Sequence, residues 1–157
     1  MSQNSENYSA YDKTAELLDF IDEQFDIPQK IFGDCKFFTL ENTNIVYLCN
    51  SEILPLKNLR QIGLAIYKGD FPRGYLTNAF VYRFGRYARK NVIEVKKDRL
   101  EALINREGIN LPAGDYEKGH WIVKSDHRIL GRGWVREGQL YLDVPKIWRQ
   151  NIKFPAG

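Results

Sequence analysis

The last third of the chain constrains the fold most, because it consists of short apolar runs separated by turns rich in glycine. Alternation in the final run makes one face apolar, with Leu140, Leu142 and Val144, and leaves Tyr141 and Asp143 facing solvent. Short antiparallel strands of this kind favour a small barrel, and small barrels are commonly binding modules. The pattern predicts two consecutive hairpins. In the first, a turn at 125–127 follows a strand at 119–123 and leads into extended pieces at 129–130 and 134–135, which Gly131-Arg132-Gly133 interrupts. In the second, a turn at 137–138 leads into a strand at 140–144.

The motifs between about residues 70 and 150 follow a particular order. A basic segment over 75–90 precedes Asn91-Val92-Ile93-Glu94-Val95, a short helix and a hairpin with the spacing Gly119, Leu130-Gly131-x-Gly133, Leu140 and Pro145-x-x-x-Arg149. Phe25-Asp26-Ile27-Pro28 extends the match upstream more weakly. This order resembles the PUA-like RNA-binding region of the RNA 5-methylcytosine methyltransferases of the Nop/Sun family. PUA denotes the module of pseudouridine synthases and archaeosine transglycosylases.

The catalytic features of that family are missing from this sequence. The family carries a glycine-rich S-adenosylmethionine loop and two catalytic cysteines, which follow a proline and a threonine. Here Cys35 follows Asp34, Cys49 follows Leu48, and no Gly-x-Gly-x-x-Gly follows a predicted strand. A chain of 157 residues also has no room for a Rossmann-type domain beside the barrel. The resemblance therefore implies RNA binding without catalysis and without a cofactor. The two cysteines could form one disulfide, but without a secretion signal we expect two reduced, partly buried thiols.

The predicted fold class is α+β, with an N-terminal helix and a small antiparallel sheet packed with a C-terminal PUA-like β-barrel. Apolar residues at 17, 18, 21 and 25 predict an amphipathic helix with an acidic outer face. Asp12 or Thr14 is its expected N-cap, and Pro28 prevents its continuation. Strands are predicted at 36–40, 44–49 and 61–68. The predicted domains are a disordered tail over 1–9, an α+β lobe with a basic helix over 10–90, and the barrel over 91–154.

Charge is distributed unevenly along the chain. Residues 1–56 contain three basic and ten acidic residues, a net charge of −7, whereas residues 57–106 contain twelve and four, a net charge of +8. Residues 107–157 contain eight and six, a net charge of +2. A polyanion would bind the basic third, although a merely solvated basic face is the alternative interpretation.

A helix predicted from about Tyr75 to Tyr87 gives the basic third its geometry. At roughly 100° per residue, Leu76, Phe80, Phe84 and Tyr87 share a buried stripe, and the basic residues form a second stripe around Tyr82. This arrangement suits phosphate contacts combined with base stacking, unless Tyr82 only covers the edge of the core. An early helix end at Gly85 would instead place residues 86–90 in a basic loop. The predicted RNA-binding residues are Arg73, Tyr82, Arg83, Arg86, Arg89, Lys90, Arg132, Lys146 and Arg149, with Trp148 either stacked on a base or buried.

Other functional classes find little support in the sequence. No Cys, Asp or Glu residues occur at metal-ligand spacing from His120 and His127, so a zinc site is not expected. No nucleophile-base pair indicates an enzyme either. No apolar run is long enough for a membrane span or signal peptide, so we expect a cytoplasmic protein. The predicted function is RNA binding in rRNA or tRNA modification or ribosome assembly, alone or beside a catalytic partner such as an RNA methyltransferase. The alternative is a protein-interaction module that docks a basic partner on its acidic helix.

Overall fold

The structure is a computed structural model that describes residues 7–50, 60–114 and 116–145. The chain is α+β and divides into two compact units, Met1–Tyr87 and Ala88–Gly157. The described part contains three α-helices and two five-stranded sheets. In chain order they are β1 (Tyr8–Ala10), α1 (Thr14–Phe25), β2 (Lys36–Leu40), β3 (Ile45–Cys49), β4 (Leu64–Lys68), β5 (Tyr75–Leu76), α2 (Asn78–Phe84), β6 (Val92–Glu94), α3 (Leu100–Ile104), β7 (Ile109–Asn110), β8 (Gly119–Ser125), β9 (Arg128–Arg136) and β10 (Gln139–Leu142), with 3-10 helices at Gln29–Phe32, Gly85–Tyr87 and Lys97–Arg99.

In the first unit, an antiparallel sheet in the order β1-β2-β3-β4-β5 accompanies α1 and α2. The predicted helix α1 is confirmed, because its stripe of Leu17, Ile21 and Phe25 is buried. Its predicted N-cap is wrong. Lys13 occupies that position without a side-chain cap bond, and the Thr14 hydroxyl donates to the Tyr11 carbonyl at 2.6 Å instead of accepting a helix N–H. The predicted strands β2 and β3 are also confirmed, and the strand predicted over 61–68 is present as β4 but begins only at Leu64.

The N-terminal segment departs from the expected disordered tail. Tyr8 and Ser9 belong to β1, which pairs antiparallel with β2 and sets Tyr8 opposite Leu40. The Tyr8 ring also packs edge-on against Phe38 at a centroid distance of 6.0 Å. The prediction failed here because an edge of β2 offers backbone hydrogen bonds to any extended segment, even a polar one. Residues 1–6 of the predicted tail lie outside the described residues.

The helix predicted over residues 75–87 is wrong at its start. Tyr75 and Leu76 pair with β4 as β5, and α2 begins at Asn78. Thr77 sets this boundary, because its hydroxyl accepts a hydrogen bond from the Phe80 N–H at 3.1 Å and donates one to the Ala65 carbonyl at 2.7 Å. The first bond caps the helix, and the second fixes its start to β4.

The second unit contains the two hairpins predicted from the last third of the sequence. Asp126-His127 connects β8 to β9, and Glu137-Gly138 connects β9 to β10. Both turns have two residues with positive φ, at 50° and 62° in the first and 51° and 73° in the second. Such turns match the right-handed twist of paired strands, which explains the tight connections.

The expected interruption at Gly131-Arg132-Gly133 is wrong, because β9 continues through it from Arg128 to Arg136. Packing, and not an interruption of the strand, explains the glycine at position 133. A Cβ atom at Gly133 would lie 2.5 Å from Val123 Cγ2 and 3.0 Å from Leu140 Cδ1. The glycine therefore allows the core-facing side of the sheet to pack closely.

The sheet of the second unit has the order β6-β8-β9-β10-β7 and is curled into a half-barrel. Its edge strand β6 runs parallel to β8, a pairing that the sequence did not predict. The curl is visible in an open cleft that Glu94 of β6 and Asn110 of β7 both line, although these strands end opposite edges of the sheet. Inside the curl lies a core of Ile93, Val95, Leu103, Ile104, Ile109, Trp121, Val123, Val135, Leu140, Leu142 and Val144.

Candidate nucleic-acid interface

The exposed face of α2 carries an aromatic and a basic side chain next to each other in the sequence. Phe80 and Phe84 point into the first unit and are 0% and 8% exposed, as the helical spacing predicted. Tyr82 is 39% exposed, so a large part of its ring is accessible to a ligand. Arg83 is exposed, with its guanidinium carbon 6.0 Å from the centroid of the Phe84 ring.

Arg86 follows on the 3-10 helix and is held by its neighbour Tyr87. Its guanidinium carbon lies 4.7 Å from the centroid of the Tyr87 ring, and Nη2 donates a hydrogen bond to the Tyr87 hydroxyl at 2.6 Å. Neither contact supplies a negative charge. Arg86 is thus ordered and exposed while its positive charge stays uncompensated by Tyr87.

The predicted basic stripe does not extend along one helix to Arg89 and Lys90. Helix α2 ends at Phe84, and the 3-10 turn that follows ends at Tyr87. Glycine at position 85 disfavours further α-helix, so the alternative of an early helix end is correct. Arg89 and Lys90 are exposed and lie in the second unit, outside any helix. We refer to residues 82–90 as the basic segment.

Arg73 lies in the turn between β4 and β5. Its backbone N–H donates to the Asp70 carbonyl at 2.7 Å, and its side chain is exposed. Arg73 shares one property with three arginines of the basic segment. Within the described part of the chain, no ion pair engages Arg73, Arg83, Arg86 or Arg89.

Arg132 differs from these arginines. Its Nη2 atom lies 2.6 Å from Oδ2 of Asp143, and only 17% of its side chain is exposed. The backbone brings these two residues together, because the Asp143 N–H also donates a hydrogen bond to the Arg132 carbonyl at 2.9 Å. The carboxylate therefore compensates the charge that the sequence assigned to phosphate binding. Three further predicted positions, Lys146, Trp148 and Arg149, lie outside the described residues.

A row of aromatic side chains crosses three adjacent strands of the second unit, and the sequence prediction missed it. Trp134 of β9 lies opposite His120 of β8 and opposite Tyr141 of β10. Trp134 and Tyr141 are 38% and 37% exposed. All three side chains lie on the sheet face opposite the buried Val135 and Leu140, since neighbours along a strand alternate in direction. We call this set the aromatic row.

Contacts on both sides hold the aromatic row in place. The His120 and Trp134 rings meet edge to face, with centroids 4.5 Å apart and an interplanar angle of 77°. The Tyr141 hydroxyl donates to Oε1 of Gln139 at 2.7 Å, and Gln139 Nε2 donates to Oδ1 of Asn110 at 3.1 Å. These rings are therefore positioned without any ligand, which lowers the entropic cost of binding one.

The row is electrically neutral near pH 7. Burial and the nearby Arg132 guanidinium together lower the pKa of His120 to about 4, with burial as the larger cause. An open cleft of about 290 Å³ runs beside the row, and His120, Arg132, Gly133, Trp134, Tyr141, Leu142 and Asp143 line it.

The acidic residues of α1 and the two cysteines also belong to the first unit. Glu16, Asp19 and Glu23 are exposed on α1, and Oδ1 of Asp19 accepts a hydrogen bond from Gln29 at 2.9 Å. Cys35 and Cys49 are half-buried free thiols. The predicted acidic face of α1 is therefore present.

Comparison with known proteins gives no family assignment, since no protein-family model and no curated protein matches this chain. Among residues 7–50, 60–114 and 116–145, no group of three His, Cys, Asp or Glu side chains is arranged to hold a metal ion. No helix in those ranges is both long and apolar enough to cross a membrane.

Proposed function

We propose that this chain is a cytoplasmic RNA-binding protein that acts in rRNA or tRNA modification or in ribosome assembly. It works either as a stand-alone module or as an accessory to a separate catalytic subunit, such as an RNA methyltransferase. RNA binding requires no catalytic residue of its own, and the mechanism is positioning of the RNA.

The observation that carries this proposal is the contrast between two kinds of arginine. Arg132 is half-buried and neutralised by Asp143, as expected for a structural ion pair. Arg83 and Arg86 are exposed, and no carboxylate in the described part of the chain pairs with either. Ordered, uncompensated guanidinium groups attract phosphates and release counterions when they bind them.

Tyr82 supports RNA over other polyanions. Its exposed ring lies beside Arg83 in the sequence, and an aromatic ring among arginines offers stacking in addition to charge. The half-barrel of the second unit supports a PUA-like module of the kind that the sequence resembles, with the parallel strand β6 as part of it.

The test measures affinity for tRNA and rRNA fragments across a range of salt concentrations. A variant with Arg83→Ala, Arg86→Ala and Arg89→Ala should bind more weakly, and each lost contact should lower the log-log salt slope by about 0.7 for single strands. The matched control replaces Lys13, Lys30 and Lys36 with alanine. These three lysines are also exposed, so the control removes the same charge from the acidic third of the chain. An unchanged slope in a folded arginine variant contradicts the proposal.

The second candidate function is a protein-interaction module, which the acidic exposed face of α1 favours. In that case charge reversal of Glu16, Asp19 and Glu23 should abolish association with a basic protein partner. The separate arginine variant should then show no change in RNA binding. Under the RNA-binding proposal, the same reversal leaves RNA affinity essentially unchanged.

A further inference from the structure

We propose that the aromatic row of the second unit is a second RNA contact, at which one unpaired nucleobase stacks against Trp134 and Tyr141. This inference rests on the proposed RNA-binding function, but it concerns a different surface and a different part of the nucleotide. The basic segment would bind phosphates, whereas the row would bind a base.

Exposure is the first argument for a ligand at this surface. In the described part of the chain, only three large apolar or aromatic side chains are more than a third exposed, namely Tyr82, Trp134 and Tyr141. Two of them lie opposite each other on adjacent strands. Large rings concentrated at one place on a surface commonly mark a binding site.

Rigidity is the second argument. Gly108 packs closely against Tyr141, since a Cβ atom at this glycine would be 2.8 Å from the Tyr141 ring. The hydroxyl of the same tyrosine is anchored on Gln139, and His120 holds Trp134 edge to face. A sheet that presents fixed aromatic rings in one row offers the planar surface on which bases stack.

The size and chemistry of the adjacent cleft favour a base as the occupant. Its volume of about 290 Å³ lies at the lower end of ligand sites, which suits a single planar ring better than a folded peptide. Arg132 and Asp143, which both line the cleft, carry hydrogen-bond donors and acceptors. The edge of a nucleobase carries both kinds of group.

Charge around the row is also compatible with a nucleic-acid strand. Residues 118–143, which contain the two hairpins, include five basic and three acidic residues, a net charge of +2. The row itself is neutral because His120 stays unprotonated near pH 7. A base that stacks on these rings therefore buries no unpaired charge, because Arg132 and Asp143 of the cleft pair with each other. The net positive charge of the two hairpins favours the phosphates of the same strand.

The experiment measures binding of the full chain to three RNA probes of equal length. The probes are a single-stranded oligouridine of about ten nucleotides, within the site size of 4–16 for one small binding fold, the same oligomer with abasic positions, and a duplex. Wild-type protein should prefer the base-containing single strand. Trp134→Ala should weaken that binding by about 5- to 150-fold and leave the salt slope unchanged, because stacking releases no counterions.

Conservative and second variants keep the test decisive. Trp134→Phe retains a ring and should keep most of the affinity. It should also abolish the part of any tryptophan quenching by oligouridine that arises from Trp134, while Trp121 and Trp148 still emit. If Trp134→Ala misfolds by circular dichroism, Tyr141→Ala replaces it, with Tyr141→Phe as its ring-retaining control.

The outcomes separate this inference from the proposed function. Equal binding of the abasic and base-containing oligomers, or an equal loss on duplex and single strand in Trp134→Ala, overturns the base-stacking site. If the arginine triple variant flattens the salt slope while Trp134→Ala and Tyr141→Ala bind normally, only the stacking site fails. A wild-type chain that binds none of the probes overturns the base-stacking site, and one that also fails to bind the tRNA and rRNA fragments overturns both proposals.

Discussion

Replacement of Thr77 by alanine should destabilise the first unit through the loss of two hydrogen bonds. The hydroxyl caps α2 by accepting from the Phe80 N–H and ties the helix to β4 by donating to the Ala65 carbonyl. Loss of an N-cap typically costs about 1 kcal/mol. The half-buried Ala65 carbonyl also loses this side-chain donor, which adds about 1 kcal/mol at the lower end of the usual range. The expected loss in the free energy of unfolding is therefore about 2 kcal/mol.

The cap has a large effect here because α2 is short. It has seven residues, and isolated helices below about 12 residues are marginal in water. Urea denaturation followed by far-ultraviolet circular dichroism measures the change, with unchanged m-values required for the comparison. Thr77→Ser keeps the hydroxyl and should remain within about 0.5 kcal/mol of wild type.

Thr43→Ala serves as a control. Its hydroxyl donates to the Leu40 carbonyl at 2.9 Å but caps no helix, so its removal should cost only about 1 kcal/mol or less. The reasoning is refuted if Thr77→Ala unfolds at the same urea concentration as wild type, or if Thr77→Ser is as unstable as Thr77→Ala.

Two further predictions concern titration and the thiols. Because the pKa of folded His120 is about 4 and the ordinary value is 6.5, the unfolded chain binds the proton first, so stability should decline as pH falls from 6.5 toward 4. The urea midpoint of unfolding, measured across this pH range, should no longer fall with pH in the same way in His120→Asn, but should still do so in His127→Asn. Identical pH profiles for wild type and His120→Asn would contradict the assignment of this pH dependence to His120. Replacing both Cys35 and Cys49 with serine should leave RNA affinity, measured by filter binding, almost unchanged, and a loss of binding in a folded double variant would show that the thiols matter.

Local patterns in the sequence predicted much of the fold correctly. The spacing of Leu17, Ile21 and Phe25 predicts α1, and the two turns of the last third predict the hairpins. Both signals depend only on residues close in sequence. The start of α2 was missed because the Thr77 hydroxyl bonds to Ala65, which lies twelve positions earlier. The parallel pairing of β6 with β8 was missed for the same reason, since the partner strand is distant in sequence.

The candidate site shows the same division. Charge and helical spacing correctly placed Arg83 on an exposed face, but they gave no information on which arginine a carboxylate would neutralise. That outcome for Arg132 depends on strand register. Alternation predicted that Tyr141 faces solvent, and the sheet confirms it. Only the pairing of three strands reveals that Trp134 and His120 lie in the same row.

The strand order of the half-barrel has a consequence for how the second unit folds. Strands β8, β9 and β10 are neighbours in sequence, and two-residue turns connect them, so their contacts can form early. The edge strands must close much longer loops, as the pairing of Glu94 with Lys124 shows. We expect slow amide hydrogen exchange in β8 and β9 and faster exchange in β6 and β7. The edges thus join last during folding and detach first when the unit opens.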